Sequence, residues 1–159
     1  MDKLRALLLP LALVFGAIAV FEFGARYGAA NMRAFAIAGE LQLPLNIYAQ
    51  GQGNMDPASK DAFAMIIDNG IAAGVMQREL WYVSKNAKSA LDKVISYAFS
   101  VRGDAIIERF KSAESSEDLP AGDKAKMAKI LTALEKAKVD LVNKSTEMEK
   151  QEDVETAQN

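Results

Sequence analysis

The sequence predicts a mostly α-helical protein: an N-terminal transmembrane (or signal) helix, a small helical bundle domain, and a long heptad-patterned C-terminal helix. Three observations carry that reading. Residues 6–21 contain no polar side chain. Apolar residues in the middle of the chain recur every three or four positions, the period of a helix with one buried face. After Phe110 there is no further aromatic residue, and charged positions alternate with a narrow apolar seam. The 159 residues are 50% hydrophobic and 25% charged, but that average merges a membrane-like head, a globular-like middle and a polar tail.

The head comes first. The apolar run reaches Ala25 with one interruption, Glu22. About 20 apolar residues cross a bilayer as a helix, because lipid forces backbone groups to pair internally. Lys3 and Arg5 supply a basic start, and Ala17-Ile18-Ala19 resembles a small-residue cleavage site, so a cleaved signal peptide is the competing reading. The retained anchor is favoured, since the hydrophobic stretch continues past that site and cleavage would leave an apolar new terminus. Lys3 and Arg5 before the span balance Arg26 and Arg33 after it, so the positive-inside count is even. The export-like layout then favours an N-terminus in the cytoplasm. The expected location is the inner (cytoplasmic) membrane, crossed once, with the main domain periplasmic or otherwise extracytoplasmic.

Four residues mark the membrane boundary. Glu22 and Arg26 are one turn apart in the favourable acid-before-base order, which predicts an interfacial ion pair. A role for Glu22 in proton or partner chemistry is the alternative. Gly24 and Gly28 form a Gly-xxx-Gly spacing that would let a second helix approach closely; small residues in an Ala/Gly-rich stretch are the plainer account.

Residues 24–41 are expected to continue the first helix, with Met32, Phe35, Ala38 and Leu41 towards one face. Pro44 then predicts a break over 42–57 with a short extended piece at 43–48. Gly51 and Gly53 lack the context of a phosphate loop. Asp56-Pro57 reads as a helix start, and Phe63, Ile66, Ile67 and Ile71 as its apolar face. Asp68 and Asn69 make a second span costly, and Asn69-Gly70 reads as the end of that helix. A longer helix is expected over 71–100, with a seam of Leu80, Val83, Ala87, Ala90, Val94, Tyr97 and Val101. Trp81 and Tyr82 lie inside four consecutive large apolar residues, which cannot all face one core; this makes them candidates for partner contact. Gly103-Asp104 punctuates, with Asp104 as cap for a short helix carrying Ile106, Ile107 and Phe110.

The tail opens with a polar linker, and Asp123 is expected to cap the last helix. Met127, Ile130, Leu134, Ala137, Leu141, Lys144 and Met148 follow the three-four spacing of a heptad. That seam suits packing within the chain or docking on a partner. The expected division is 1–28 for the basic start and anchor, 29–57 for a juxtamembrane helix and loop, and 58–111 for the helical core domain. A linker at 112–122, an amphipathic helix at 123–150 and a disordered tail at 151–159 complete it.

Composition limits the chemistry. The chain has no cysteine and no histidine. Thiol and imidazole catalysis, disulfides and ordinary zinc sites are therefore outside its own means. A net charge of −2 gives no electrostatic case for nucleic acid. No catalytic, metal or cofactor residue is nominated: the paired acids lie in polar or terminal segments, where nothing tunes them. The sequence therefore reads as a non-enzymatic, membrane-anchored binding or scaffold protein, a component or assembly factor of a cell-envelope complex. An exported soluble chaperone-like or ligand-binding protein, cleaved near Ala19, is the alternative. The expected partners are the lipid bilayer and other proteins, met through the helical domain or the C-terminal helix at Met127, Ile130, Leu134, Leu141 and Met148. A homo-oligomer is left open.

Overall fold

A computed structural model of the chain describes residues 2–51 and 53–156, with side chains described for 10–51 and 53–141. The order is α1 (Asp2–Gly51), α2 (Pro57–Arg78), α3 (Lys85–Arg102), α4 (Ala105–Glu114) and α5 (Ala121–Thr156). No strand occurs among the described residues. The mostly helical class and the long apolar N-terminal helix are therefore both present.

Helix α1 is 50 residues long, about 75 Å at the standard rise. Its two halves live in different surroundings. Leu11, Leu13, Val14, Phe15, Ile18, Val20, Phe21 and Phe23 are all exposed, whereas Ala30, Ala34, Ala38, Leu41, Leu45 and Tyr48 are buried. The buried set recurs at four- and three-residue intervals, so one stripe faces the rest of the protein. Three alanines in that stripe leave room for close helix contact. Met32 and Phe35, expected on the inner face, point outward. The stripe is rotated because Ala34 and Leu45 take the core positions.

The expected break at 42–57 does not form where Pro44 stands. Helix α1 runs through Pro44 to Gly51, and the extended piece at 43–48 is helical. Proline removes one backbone donor and disfavours helix locally. Burial of Leu41, Leu45 and Tyr48 on both sides of it outweighs that cost, and Glu40, whose carbonyl loses the partner, is exposed to water. Among the described residues, the turn between α1 and α2 covers 53–56.

Asp56 caps α2, its carboxylate accepting from the Ser59 N–H at 3.0 Å, with proline following at the first position. Hydrogen bonds from Ser59 hold the Asp56 carboxyl below its ordinary value. The cap is therefore complete above the ordinary aspartate range and lost as pH falls through the folded value. Asn69-Gly70 does not end this helix; α2 continues to Arg78. Gly70 is there for its neighbour: a Cβ at this position would meet Leu41 Cγ at 3.0 Å and crowd both its methyls. Four residues on, a Cβ at Gly74 would meet only ordinary contacts, Ile37 Cγ2 at 3.5 Å being nearest.

The two glycines therefore make opposite predictions. Alanine in place of glycine favours a helix by about 0.8–1.0 kcal/mol, while overpacking a full core costs about 1–3 kcal/mol. Gly70→Ala is expected to lower the stability, by a net of up to about 2 kcal/mol. Gly74→Ala is expected to raise it, by up to about 1 kcal/mol. Urea titration followed by circular dichroism checks both; equal effects at the two sites would contradict the Leu41 contact.

The expected helix over 71–100 is two helices. The chain leaves α2 at Arg78 and turns through residues 79–84, and Ser84 caps α3 by accepting from the Ala87 N–H at 3.3 Å. Leu91, Ile95 and Ala98 are fully buried. Gly103 ends α3 with φ +57°, a conformation open to glycine. Asp104 precedes α4 but makes no capping hydrogen bond; its carboxylate instead pairs with Lys138 of α5. Ile106, Ile107 and Phe110 bury the inner face of α4.

The polar connection shortens to residues 115–120, because α4 reaches Glu114 and α5 begins at Ala121, ahead of Asp123. Asp123 lies in the first turn and pairs with Lys126 at 2.8 Å. Helix α5 extends to Thr156; residues 157–159 lie outside the described ones. One cluster of buried side chains extends from Ala30 to Leu141 and draws on all five helices. The second half of α1 and α5 as far as Leu141 thus belong to the same core as α2–α4.

Candidate membrane-interface site

The exposed and buried halves of α1 meet over residues 22–31, and the turn between α2 and α3 is fastened there. Gln77, at the end of α2, is buried and donates from Nε2 to the Ala30 carbonyl at 2.9 Å. Asn31 donates from Nδ2 to the Tyr27 carbonyl at 2.7 Å, and its Oδ1 accepts from the Ser84 N–H at 2.8 Å. Those bonds hold both ends of the turn against one helical turn of α1. Within it, Val83 is buried, Leu80 and Tyr82 are partly buried, and Trp81 is 76% exposed. The Trp81 ring lies 5.7 Å from the ring of Phe23 and 5.4 Å from that of Tyr82, edge-on to the latter. Phe23 belongs to the exposed apolar run, so Trp81 reaches back beside it.

Glu22 and Arg26 form the expected pair, with Nε to Oε2 at 3.3 Å and both side chains well exposed. Exposed pairs of this spacing contribute about 0.3–0.5 kcal/mol at most. At Gly24 and Gly28 a Cβ would meet nothing within 4 Å among the described residues. Glu22, Gly24, Arg26 and Trp81 therefore share one level of α1, which neither charge order nor small-residue spacing alone could show.

The C-terminal candidates fall elsewhere. Leu134 and Leu141 are buried in the chain's own core, and Met127 and Ile130 pack partly against it. As far as Leu141 this seam packs within the chain, against α2, α3 and α4. The side chains of Met148 and Lys144, and of Lys3 and Arg5 at the other end, lie outside the described ones.

Sequence reasoning missed the main polar cluster. Asp68, read as a helix-boundary residue, is fully buried in the middle of α2. Its Oδ1 accepts from Arg102 Nε at 3.1 Å and its Oδ2 from Arg102 Nη2 at 2.7 Å. This is a bidentate fork, the strongest common form of ion pair. Arg102 also donates from Nη1 to Tyr48 Oη at 2.9 Å, and Arg109 Nη1 stands 3.6 Å from Asp68 Oδ2. One guanidinium thus ties the ends of α3 and α1 to the centre of α2. Burial pulls the Arg102 pKa down, but Asp68 and Tyr48 outweigh it and hold it above the ordinary arginine value. Such stabilisation is complete below that ordinary value and is lost only as pH rises past the folded one. The charge is therefore constant through the neutral range. The only sequence signal was an acid in an apolar helix face; its partner lies 34 residues away.

A second cluster ties α2 to α3 and α5. Arg78 pairs with Asp92 at 2.5 Å and with Asp140 at 3.4 Å, while Lys136 meets Glu79 at 2.9 Å. Burial again lowers the Arg78 pKa, and Asp92 and Asp140 more than reverse it. These acids neutralise cations that hold helices together. Among the described residues, no buried side-chain polar atom lacks a partner and no three acids gather as metal ligands. An open groove of about 490 Å³ lies between α1 and α3 and is lined by Gln42, Asn46, Asn86, Ser89, Lys93 and Tyr97.

Among the described residues, one helix near the N-terminus is long and apolar enough to cross a membrane, and none of its apolar window is buried. The chain is thus a mostly helical protein with one candidate membrane span among its described residues. It matches no family model, no curated protein and no solved structure.

Proposed function

We propose that this chain is a single-pass membrane-anchored helical binding or scaffold protein, a non-catalytic component or assembly factor of a cell-envelope complex. One observation carries the reading: α1 is an unbroken helix whose described apolar residues from Leu11 to Phe23 stay exposed and whose second half is part of the core. A core helix of a soluble protein would be covered along its length. Here eight large apolar side chains between Leu11 and Phe23 face outward, and a bilayer would cover them.

The polar groups support binding over catalysis. The buried acid is committed to Arg102, and the larger ion pairs join one helix to another. The domain keeps exposed apolar residues outside the anchor, among them Met32, Phe35, Leu43, Met65, Ile66 and Val139, which suit contact with protein partners. In this reading the N-terminus is cytoplasmic and the domain stands outside the inner membrane.

Alkaline carbonate extraction of membranes, followed by intact-mass measurement, tests it. The expected result is retention of the chain in the membrane pellet, with residues 1–19 present. Release into the wash would overturn the anchor, and loss of residues 1–19 would establish an exported soluble protein. Pull-down in mild detergent, with the full chain against one ending at Val142, then locates the partner surface while leaving Leu141 in place.

A further inference from the structure

We infer that the α2–α3 turn is a second membrane contact: Trp81 seats in the headgroup–acyl boundary beside Phe23, fixing how the helical domain stands on the bilayer. The inference rests on α1 being the anchor.

The argument starts from an anomaly. Trp81 is the only tryptophan in the chain, yet it is among the most exposed large apolar residues outside the anchor. Set against Phe23, the exposed indole extends the exposed apolar run of α1 into one contiguous patch, the kind of surface that marks a protein or membrane contact. Its neighbours indicate which. The ring packs on Phe23, the last large residue of the apolar run before Arg26, and is thus continuous with the surface that lipid would cover. Glu22 and Arg26 mark the polar limit at the same level. Tyr27, one turn from Phe23, is 43% exposed, and Tyr82 packs edge-on against Trp81.

Tryptophan and tyrosine concentrate at this depth of a bilayer, where an apolar ring and a polar N–H or O–H are satisfied together. Phe23, Tyr27, Trp81 and Tyr82 form such a belt from two segments more than 50 residues apart in sequence. The turn cannot drift from this level, since Asn31 and the Ala30 carbonyl hold both its ends. A helix crossing alone leaves its domain free to tilt and rotate about the exit point. A second contact beside it removes much of that freedom and presents the far surface of the domain in one orientation.

Because there is one tryptophan, its fluorescence reports on this site alone. The full chain is reconstituted into phosphatidylcholine vesicles carrying bromine either near the headgroup end of the acyl chains or near their methyl end. Aqueous iodide is the third quencher, and flotation after carbonate treatment is run on the same sample. The expected result is quenching of about twofold or more by the shallow bromolipid, less by the deep one, and little by iodide. Strong quenching by iodide with none by either lipid overturns the seating while flotation leaves the anchor intact. Protection from all three quenchers means that protein covers Trp81, and also overturns it. Stronger quenching by the deep lipid overturns the boundary placement. Failure to float overturns the anchor and the inference with it. Asn31→Ala, which frees one end of the turn, is expected to reduce lipid quenching without loss of flotation; an unchanged depth profile in that variant would contradict the role of the Asn31 clamp.

Discussion

Asp68→Ala is expected to lower the stability of the helical domain by about 3–5 kcal/mol, the cost of leaving one buried charge without its partner. Asp68 is fully buried and the Arg102 side chain is 11% exposed, so water cannot replace the lost carboxylate well. Folded domains have only about 5–15 kcal/mol to lose, and the variant should stand near its unfolding midpoint under mild conditions. Asp68→Asn keeps the shape and one acceptor and should lose less. The pair Asp68→Leu with Arg102→Met removes both charges together and should recover most of the loss, because well-packed apolar residues replace buried ion pairs at little cost. Urea titration of the four proteins measures this. A single variant within about 1 kcal/mol of the parent would show that the bridge is more hydrated than its geometry implies.

The second large effect concerns α5. A chain ending at Ser116 removes Leu131, Leu134, Ala137 and Leu141 from the common core and uncovers the apolar faces of α2 and α4 beneath them. It also removes Asp140 and Lys136 from Arg78 and Glu79. The expected outcome is loss of the cooperative thermal transition, with helical signal surviving mainly in α1. A chain ending at Val142 keeps every buried residue of α5 that is described, and should melt close to the full chain. Leu134→Ala, a smaller cut at a fully buried site, should cost about 2–5 kcal/mol. A cooperative transition preserved in the chain ending at Ser116 would mean that α5 is a docking helix and not a core element. The same comparison governs partner searches, since truncation at Ser116 would confuse an unfolded domain with a missing surface.

Much of the architecture was legible because it rests on local or compositional signals. An apolar run of bilayer length needs no tertiary information to be read. Asp56-Pro57 starts a helix through a bond three residues away, and Glu22 finds Arg26 within one turn. The site was legible only in fragments. Four large apolar residues in a row showed that Trp81 or Tyr82 had to face away from the core, but not that Trp81 would meet Phe23.

The misreadings share one cause. Pro44, Asn69-Gly70 and Asp68 each carry a strong local signal for a break, and each lies inside a helix. At Pro44 the burial of Leu41, Leu45 and Tyr48 outweighs the missing N–H. At Gly70 the absent side chain makes room for Leu41, and at Asp68 the charge answers Arg102. Local rules describe a chain surrounded by water, and these positions are surrounded by other helices.

What the sequence determined alone is the helical class, the apolar head and the absence of thiol and imidazole chemistry. Those follow from composition and from periodicity along a single segment. Only the tertiary structure decided that α1 is one rod shared between the exposed apolar run and the core, that the seam of α5 as far as Leu141 is packed within the chain, and that Trp81 stands beside Phe23, between Glu22 and Arg26. Each of these depends on contacts between residues far apart in sequence, whose energies outweigh local preference and leave no periodic trace.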